Sequence, residues 1–439
     1  MLFIKRLLPE WLLKVIRPFY HGAVALAANF YFGRPSRKIT VVGITGTTGK
    51  STTAAMLAKI LNFAGKKCGY ITTINFFDGN IDRINKHGLS MPGGWLLQKQ
   101  LATMLKNGCV CAVVECTSEG LAQNRHLGIG FDVALLTNVS SAHLEAHGGF
   151  ENYKKAKKKL FQAVSVGKKP EKVLGANIDS PYAENFLEAK AKKKFGVSFS
   201  GKNLAGVKTY QAKITGQNHQ VEFVMDGVSF LLPMVGIFNA YNAALAAACA
   251  NFLGVDLPAA AAALKVFGGI RGRMEPVSNN RGLEIFVDYG CEPASFEAAL
   301  KAAVLLPHKK FIHVFGSTGG HRDASKRFIF GQTSAQFADK IIITNDDVYD
   351  SNPERIVSDI EGGIKASKRY TLYATRYEKV LDRREAIAKA LFVAQQGDLV
   401  LITGKGSEQF LVLPGNKRIS WDEVSVVREE LAKLDIKRN

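Results

Sequence analysis

The sequence of 439 residues lacks the spacing of a disulfide framework or a zinc knuckle. Its six cysteines (Cys68, Cys109, Cys111, Cys116, Cys249 and Cys291) are dispersed, three of them in the apolar run "CVCAVVECT" (109–117). A small cross-linked secreted module is therefore excluded, and a reducing cytoplasm is the expectation. Long apolar runs are also missing: "FYHGAVALAANFYF" (19–32) extends for about fourteen residues, short of the roughly twenty that span hydrocarbon. Acidic residues are scarce, 38 against 58 Lys and Arg, which gives a formal net charge of +20. Such a balance often marks nucleic-acid binding. Here the lysine clusters "KKAKKKLF" (154–161) and "KAKKKF" (190–195) have no aromatics interleaved to stack on bases, and no nucleic-acid motif accompanies them. They read as a solvated face, with attraction to anionic lipid or a polyanionic substrate as the functional counterpart.

One glycine-rich stretch carries a mechanism, "VVGITGTTGKSTTAAML" (41–57). The β-branched run "ITVV" (39–42) predicts a buried parallel strand and "STTAAMLAKIL" (51–61) has helical spacing, so the glycines fall at a strand-to-helix turn. Such a turn aims backbone N–H groups and a helix N-terminus at an anion. Gly46, Thr47, Thr48 and Gly49 form the loop, Lys50 is placed to reach terminal phosphates, and Ser51 or Thr52 offers a hydroxyl to Mg²⁺. The usual P-loop spacing is not quite met, because Ile44 stands where its first glycine would be.

Strand-like and helical runs alternate in two blocks, which implies α/β architecture with parallel-rich sheets and ligands at the carboxyl ends of the strands. The first block runs from "ITVVGITG" through "CVCAVVECT" and "FDVALLTNVS" (131–140) to "NAYNAALAAACANFL" (239–253); the second holds "KFIHVFGS" (310–317), "KIIITND" (340–346) and "DLVLITGKG" (398–406). A hairpin turning at Asp226-Gly227 is expected within the first block. The expected organisation is a basic and apolar helical segment over 1–38, a central ATP-binding domain over 39–270 and a Rossmann-like domain over 271–439. Glu115 closes one buried strand and His143 follows another, a pairing that suits Mg²⁺ beside phosphates.

Eight motifs in order, "GITGTTGKST", "ECTSEGLAQNR", "FDVALLTNVSSAHLEAHGG", "YKKAKKKLF", "GIFNAYNAALA", "GRMEPV", "VDYGCEPASFEAAL" and "GKGSE", closely resemble the Mur ligases, and in particular their tripeptide-synthetase branch. The resemblance spans about residues 39 to 435. It implies an ATP-dependent ligase that joins an acid to an amino acid through an acyl phosphate, on a muramyl-peptide-type acceptor in peptidoglycan synthesis. Lys50 and its loop then match the ATP-phosphate site; Ser51, Glu115 and His143 match positions serving Mg²⁺; and Lys157 matches a lysine that CO₂ converts to an anionic carbamate ligand. Asn239 and Asn242 match positions near the adenine, Arg273 one facing the phosphates, and Asp288 a nucleotide-contacting aspartate. Thr117, Ser118 and Arg125 match residues holding the acceptor, while Tyr349, Lys405 and Glu408 fall at positions expected to meet substrate.

The departures are specific. Glu119, Cys291 and Ser407 each replace a histidine of the family pattern. In "TNDDVYDSNPE" (344–354), Tyr349 stands where enzymes using meso-diaminopimelate carry the arginine of D-N-P-R. A bidentate guanidinium–carboxylate contact is thereby lost, so lysine, ornithine or another amine without a second carboxylate is expected. At the front, "MLFIKRLLPEWLLKVIRPFYHGAVALAANFYFG" (1–33) is expected to stand in place of the N-terminal UDP-sugar domain typical of the branch, and its mixture of basic and apolar residues suits an interfacial helix that docks the enzyme on the inner membrane face. A helix pair packed over the central domain is the plain alternative. The other functional readings are a folylpolyglutamate-synthetase-like ligase, a ligase-like subunit serving an amidotransferase, and a P-loop switch that forms no amide; the last has no need of "GRMEPV" or "GKGSE".

Overall fold

The computed structural model describes residues 10–86, 91–140, 147–320, 323–369 and 376–436. The chain divides into two compact units: one takes residues up to Gly216 with Glu222–Pro233 and Phe238–Phe267, the other Gln217–Val221, Met234–Ile237 and everything from Gly268 onward. The division at Gly268 lies three residues before the expected boundary at 271, and the 1–38 segment belongs to the first unit.

The first unit is built on strands β1 (Thr40–Thr45), β2 (Cys68–Ile71), β3 (Asn75–Phe77), β4 (Asp82–Ile84), β5 (Cys111–Glu115), β6 (Val133–Leu136), β7 (Val173–Asn177), β8 (Lys193–Ser198), β9 (Lys208–Gln217), β10 (Val221–Met225) and β11 (Val228–Leu232), apart from Gln217 and Val221, which group with the second unit. Among the described residues they form one sheet in the order β11-β10-β9-β8-β7-β6-β1-β5-β2-β3-β4. The middle of the sheet is parallel, β1 lying between β5 and β6, while β3 and β4 continue it antiparallel at one edge. The apolar runs that read as strands are buried because both faces of a parallel sheet are covered. The hairpin turns where the sequence places it, Asp226 and Gly227 both adopting positive φ (46° and 81°) as a two-residue turn demands.

Helix α1 (Glu10–Tyr31) runs continuously through Pro18, joining the basic and the apolar parts of the N-terminal segment in one element rather than a helix pair. Residues 1–9 of that segment lie outside the described residues. Helices α2 (Lys50–Phe63), α3 (Gly94–Lys106), α4 (Ser118–Ala122), α5 (Phe150–Val166), α6 (Ala183–Leu187), α7 (Ile237–Phe252) and α8 (Leu257–Lys265) complete the unit, apart from Ile237, which groups with the second unit. No helix among the described residues is long and apolar enough to cross a membrane.

The second unit has a six-stranded sheet, again among described residues, of β12 (Glu275–Pro276), β13 (Glu284–Asp288), β14 (Phe311–Phe315), β15 (Lys340–Ile343), β16 (Arg376–Lys379) and β17 (Leu399–Thr403), ordered β12-β13-β17-β14-β15-β16. All its pairings are parallel except β12 with β13. Helices α9 (Pro293–Val304), α10 (Ser325–Phe337), α11 (Pro353–Lys365), α12 (Arg383–Val393) and α13 (Glu423–Ile436) accompany it. Buried Ile and Val of β13, β14, β15 and β17 pack with α12 and α13 into one core. This is the Rossmann-like pattern expected from the second block.

Candidate active site

Strand β1 ends at Thr45, and the chain turns into α2 through a loop whose glycines are sterically required. Gly46 has φ +150° and Gly49 φ +81°, and a Cβ at these positions would overlap Thr137 Oγ1 and Asn242 Oδ1 respectively. The loop is braced from the end of β6: Thr48 N donates to Asn138 Oδ1 (3.1 Å), Thr137 Oγ1 donates to Thr48 O (2.6 Å), and Thr47 N donates to Asn138 O (2.9 Å). A loop held this tightly presents its amides and the α2 N-terminus as a pre-formed anion site.

Register then decides what faces the loop. Ile44 pairs with Glu115, so the carboxylate at the end of β5 arrives beside the start of α2. Glu115 is 2% exposed. Its oxygens accept from Ser51 Oγ (2.6 Å), Thr73 N (2.9 Å) and Thr73 Oγ1 (2.7 Å), with Lys50 Nζ 4.0 Å away. Lys50 curls over the loop and donates to Gly46 O (3.2 Å) and Thr47 O (3.0 Å). A hydroxyl and a carboxylate oxygen 2.6 Å apart, beside a glycine-rich loop at a helix N-terminus, are the hard donor set that Mg²⁺ takes, so these residues fit the ion.

Lys157 corrects the reading of its basic run as a solvated face. On α5 the buried positions are Tyr153, Ala156, Lys157, Leu160, Phe161 and Val164, an i, i+3, i+4, i+7 stripe in which the lysine occupies an apolar place. Lys157 is 1% exposed; its Nζ donates to Gly46 O at 2.6 Å and lies 4.3 Å from the centre of the Tyr153 ring. Burial, reinforced by the nearby charge of Lys50, pushes its amine well below the ordinary lysine range. A neutral amine is the form that reacts with CO₂.

The remaining expected residues of this unit lie on α7, in the first turn of α2 and in the segment around α4. Asn242 meets the first turn of α2, accepting from Thr53 Oγ1 (3.4 Å) and donating to Asn239 Oδ1 (3.3 Å); both asparagines are buried on α7, and Thr52 is buried in the same first turn of α2. Thr117 caps α4 by accepting from Gly120 N (3.2 Å), which places Ser118 at the first turn. Ser118 Oγ pairs with His147 Nε2 at 3.0 Å, and burial lowers the imidazole's pKa. Arg125 donates to Met91 O and to Gln123 Oε1. His143 lies outside the described residues. Sequence reasoning missed Thr73, Asn138, Tyr153 and His147. The signal for Asn138 was its place just after a strand read as ligand-bearing. Tyr153, which contacts Thr47 Oγ1 at 3.0 Å, shares the helical stripe of Lys157.

In the second unit Asp288 ends β13 and is committed to backbone, accepting from Met274 N and Gly290 N, both at 2.8 Å. Burial raises its pKa, although Arg273 opposes this. Arg273 stacks over Tyr289, 4.6 Å from the ring centre. Lys405 is wholly buried, with Asp347 Oδ1 at 2.7 Å, Asp346 Oδ1 at 3.6 Å and Glu408 in direct contact. Burial works against its charge, but Asp346, Glu408 and Asp347 outweigh it and hold the ammonium above its usual range. The three carboxylates also lie close enough to hold a metal, and Lys405 already supplies the cation among them. Two strand ends meet here because Arg383 donates to Asn345 O (3.2 Å) and Thr403 O (2.8 Å) while pairing with buried Glu423. Tyr349 follows Asp346 and Asp347 in the same turn with φ +57°.

A phosphate loop with metal-type donors and a buried lysine on one unit, followed in the chain by a Rossmann-like unit bearing a charged cluster at its strand ends, defines a nucleotide-dependent two-unit enzyme of the P-loop class. The chain belongs to the Mur ligase family, ATP-dependent acid–amino-acid ligases: the family's middle domain matches residues 44–250 and its glutamate ligase domain residues 272–406. The UDP-N-acetylmuramoyl-L-alanyl-D-glutamate–2,6-diaminopimelate ligase of Caldanaerobacter subterraneus subsp. tengcongensis is 34% identical over 94% of this chain and 82% of its own length. The UDP-N-acetylmuramyl-tripeptide synthetase of Roseiflexus sp. is likewise 34% identical, over 93% and 81%. A solved structure of a UDP-N-acetylmuramoyl-L-alanyl-D-glutamate–2,6-diaminopimelate ligase superposes with a TM-score of 0.60 at 28% identity, covering 90% of this chain and 79% of that one.

Proposed function

We propose that this ligase adds an amino acid to a muramyl-peptide-type acceptor in peptidoglycan synthesis, acting in the cytoplasm with residues 1–33 holding it at the inner membrane face. The observation that carries the reaction is the buried Lys157 amine on Gly46 O, in the same phosphate loop that leads to the Ser51–Glu115 pair. An acceptor carboxylate oxygen takes the γ-phosphoryl group of ATP and ADP leaves. The amine nitrogen then attacks the acyl carbon, the amine loses a proton, and inorganic phosphate departs as the amide forms. Both steps gather negative charge, which Lys50 and the loop amides are positioned to meet before reaction begins. Ser51, Glu115 and His143 would hold Mg²⁺, and Lys157, once carbamoylated, would be an anionic ligand for a second Mg²⁺; bound there, the ions would supply Lewis-acid stabilisation of the phosphoryl oxygens. Thr117, Ser118 and Arg125 serve the acceptor, Asn239, Asn242, Arg273 and Asp288 the nucleotide, and Tyr349, Lys405 and Glu408 the amine. The amine lacks the second carboxylate of diaminopimelate, because Tyr349 offers no guanidinium.

The test is a screen of amino acids for phosphate release with UDP-N-acetylmuramoyl-L-alanyl-D-glutamate, beside folates and other acidic peptides. Release that needs both the muramyl dipeptide and an amine is expected. Turnover with ATP alone, or with nucleic acid and no amine, refutes the assignment, and a preference for folate moves it to the folylpolyglutamate type.

A further inference from the structure

Helix α1 is packed the wrong way round for a surface helix. Its inward positions are small: Ala25 and Ala28 are 0% exposed, with Ala25 against Gly94 of α3 and Gly22 against Leu127. Its outward positions are mostly large and apolar. Phe19 (75% exposed), Ala23, Leu26 (51%) and Phe30 (73%) follow one another at three- and four-residue spacing. Tyr20 and Tyr31 flank them, and Trp95 of α3 extends the patch with its ring 5.1 Å from that of Tyr31. Every exposed position from Val15 to Tyr31 is apolar or tyrosine, along about 25 Å of helix. A monomeric surface rarely leaves such a stripe without a partner.

We propose that this stripe lies flat in the interface of an anionic lipid bilayer, with Phe19, Leu26, Phe30 and Trp95 below the headgroups. The inference rests on the reading above that residues 1–33 bring the enzyme to a membrane, and it assigns the face that does so. The surroundings carry complementary charge: no Asp or Glu occurs from Trp11 to Phe77, while Arg34 and Arg37 are exposed just beyond the helix and Arg34 sits 5.6 Å over the Phe30 ring. Aromatic rings beside arginines are what the headgroup boundary accommodates. The helix lies on the surface rather than crossing, since its other side is occupied by α3 and the 118–128 region. A second copy is disfavoured as occupant because each chain carries a formal charge of +20.

The experiment uses the full chain with phosphatidylcholine vesicles, with and without phosphatidylglycerol, read by co-sedimentation. The variant is Phe19→Glu with Phe30→Glu, both exposed positions, and unchanged melting confirms its fold. Binding that needs phosphatidylglycerol and falls more than roughly tenfold in the variant supports the proposal. Equal binding of both proteins overturns the assigned face and leaves the lysine clusters as the attachment. If the full chain binds neither vesicle, the membrane reading fails as well. A concentration-dependent dimer that the variant abolishes then identifies the stripe as a contact between copies.

Discussion

Lys157 Nζ lies 2.6 Å from the carbonyl oxygen of Gly46, so a side chain that sequence places in a basic surface run is instead part of the phosphate loop's support. Lys157→Ala is expected to lower turnover by roughly 10²-fold or more, the scale of removing one preorganised electrostatic group. Bicarbonate, or a small carboxylate added to the variant, restores part of it if the working form is anionic. Activity retained by Lys157→Arg, with no rescue of the alanine variant, would instead point to a structural cation.

Lys50 contacts both the loop and the neighbourhood of Glu115. Lys50→Ala should abolish amide formation while leaving the melting temperature nearly unchanged, because the side chain is at the rim of a site rather than in a core. Single-turnover phosphate release checks this.

Gly49 combines φ +81° with contact to Asn242. Gly49→Ala is expected to destabilise the first unit by about 2 kcal/mol or more and to weaken nucleotide binding. Denaturant unfolding and a fluorescent-ATP titration measure the two effects separately; an unperturbed variant would show the loop to be more yielding than its packing implies.

Competition between amines tests Tyr349. Lysine or ornithine should be used in preference to meso-diaminopimelate, and Tyr349→Arg should improve kcat/KM for the latter by roughly tenfold, the value of one charge-assisted bidentate contact. Strong native preference for meso-diaminopimelate would refute the idea.

His313 is wholly buried between Ser334 (2.8 Å) and Thr403 (3.0 Å), and burial, with Arg383 nearby, pushes its pKa down to about 3. A histidine whose folded pKa lies below its unfolded value of about 6.5 binds a proton only on unfolding, so stability is complete above about pH 6.5 and is lost as pH falls toward 3. Between pH 7 and 5 the wild type should lose about 2 kcal/mol more than His313→Gln, measured by urea unfolding at both pH values.

The glycine-rich loop, the parallel strands and the hairpin are legible in the order of residues, because those depend on local pattern: β-branched runs, glycines where φ is positive, and a lysine and hydroxyls at fixed spacing. The same holds for the ends of β5 and β6, where polar side chains follow buried strands. The rest depends on long-range packing. Whether a lysine is solvated depends on which side of α5 meets the core, and the i, i+3, i+4 stripe containing Lys157 acquires its meaning only once Gly46 is packed against it. Thr73 reaches Glu115, 42 residues away in sequence, only through the pairing of β2 beside β5. Helix α1 shows the same limit from the other side. Its residues are apolar on both faces, and it was the fit of Gly22, Ala25 and Ala28 against their neighbours that turned the large ones outward, since only small side chains let the backbone approach α3 so closely.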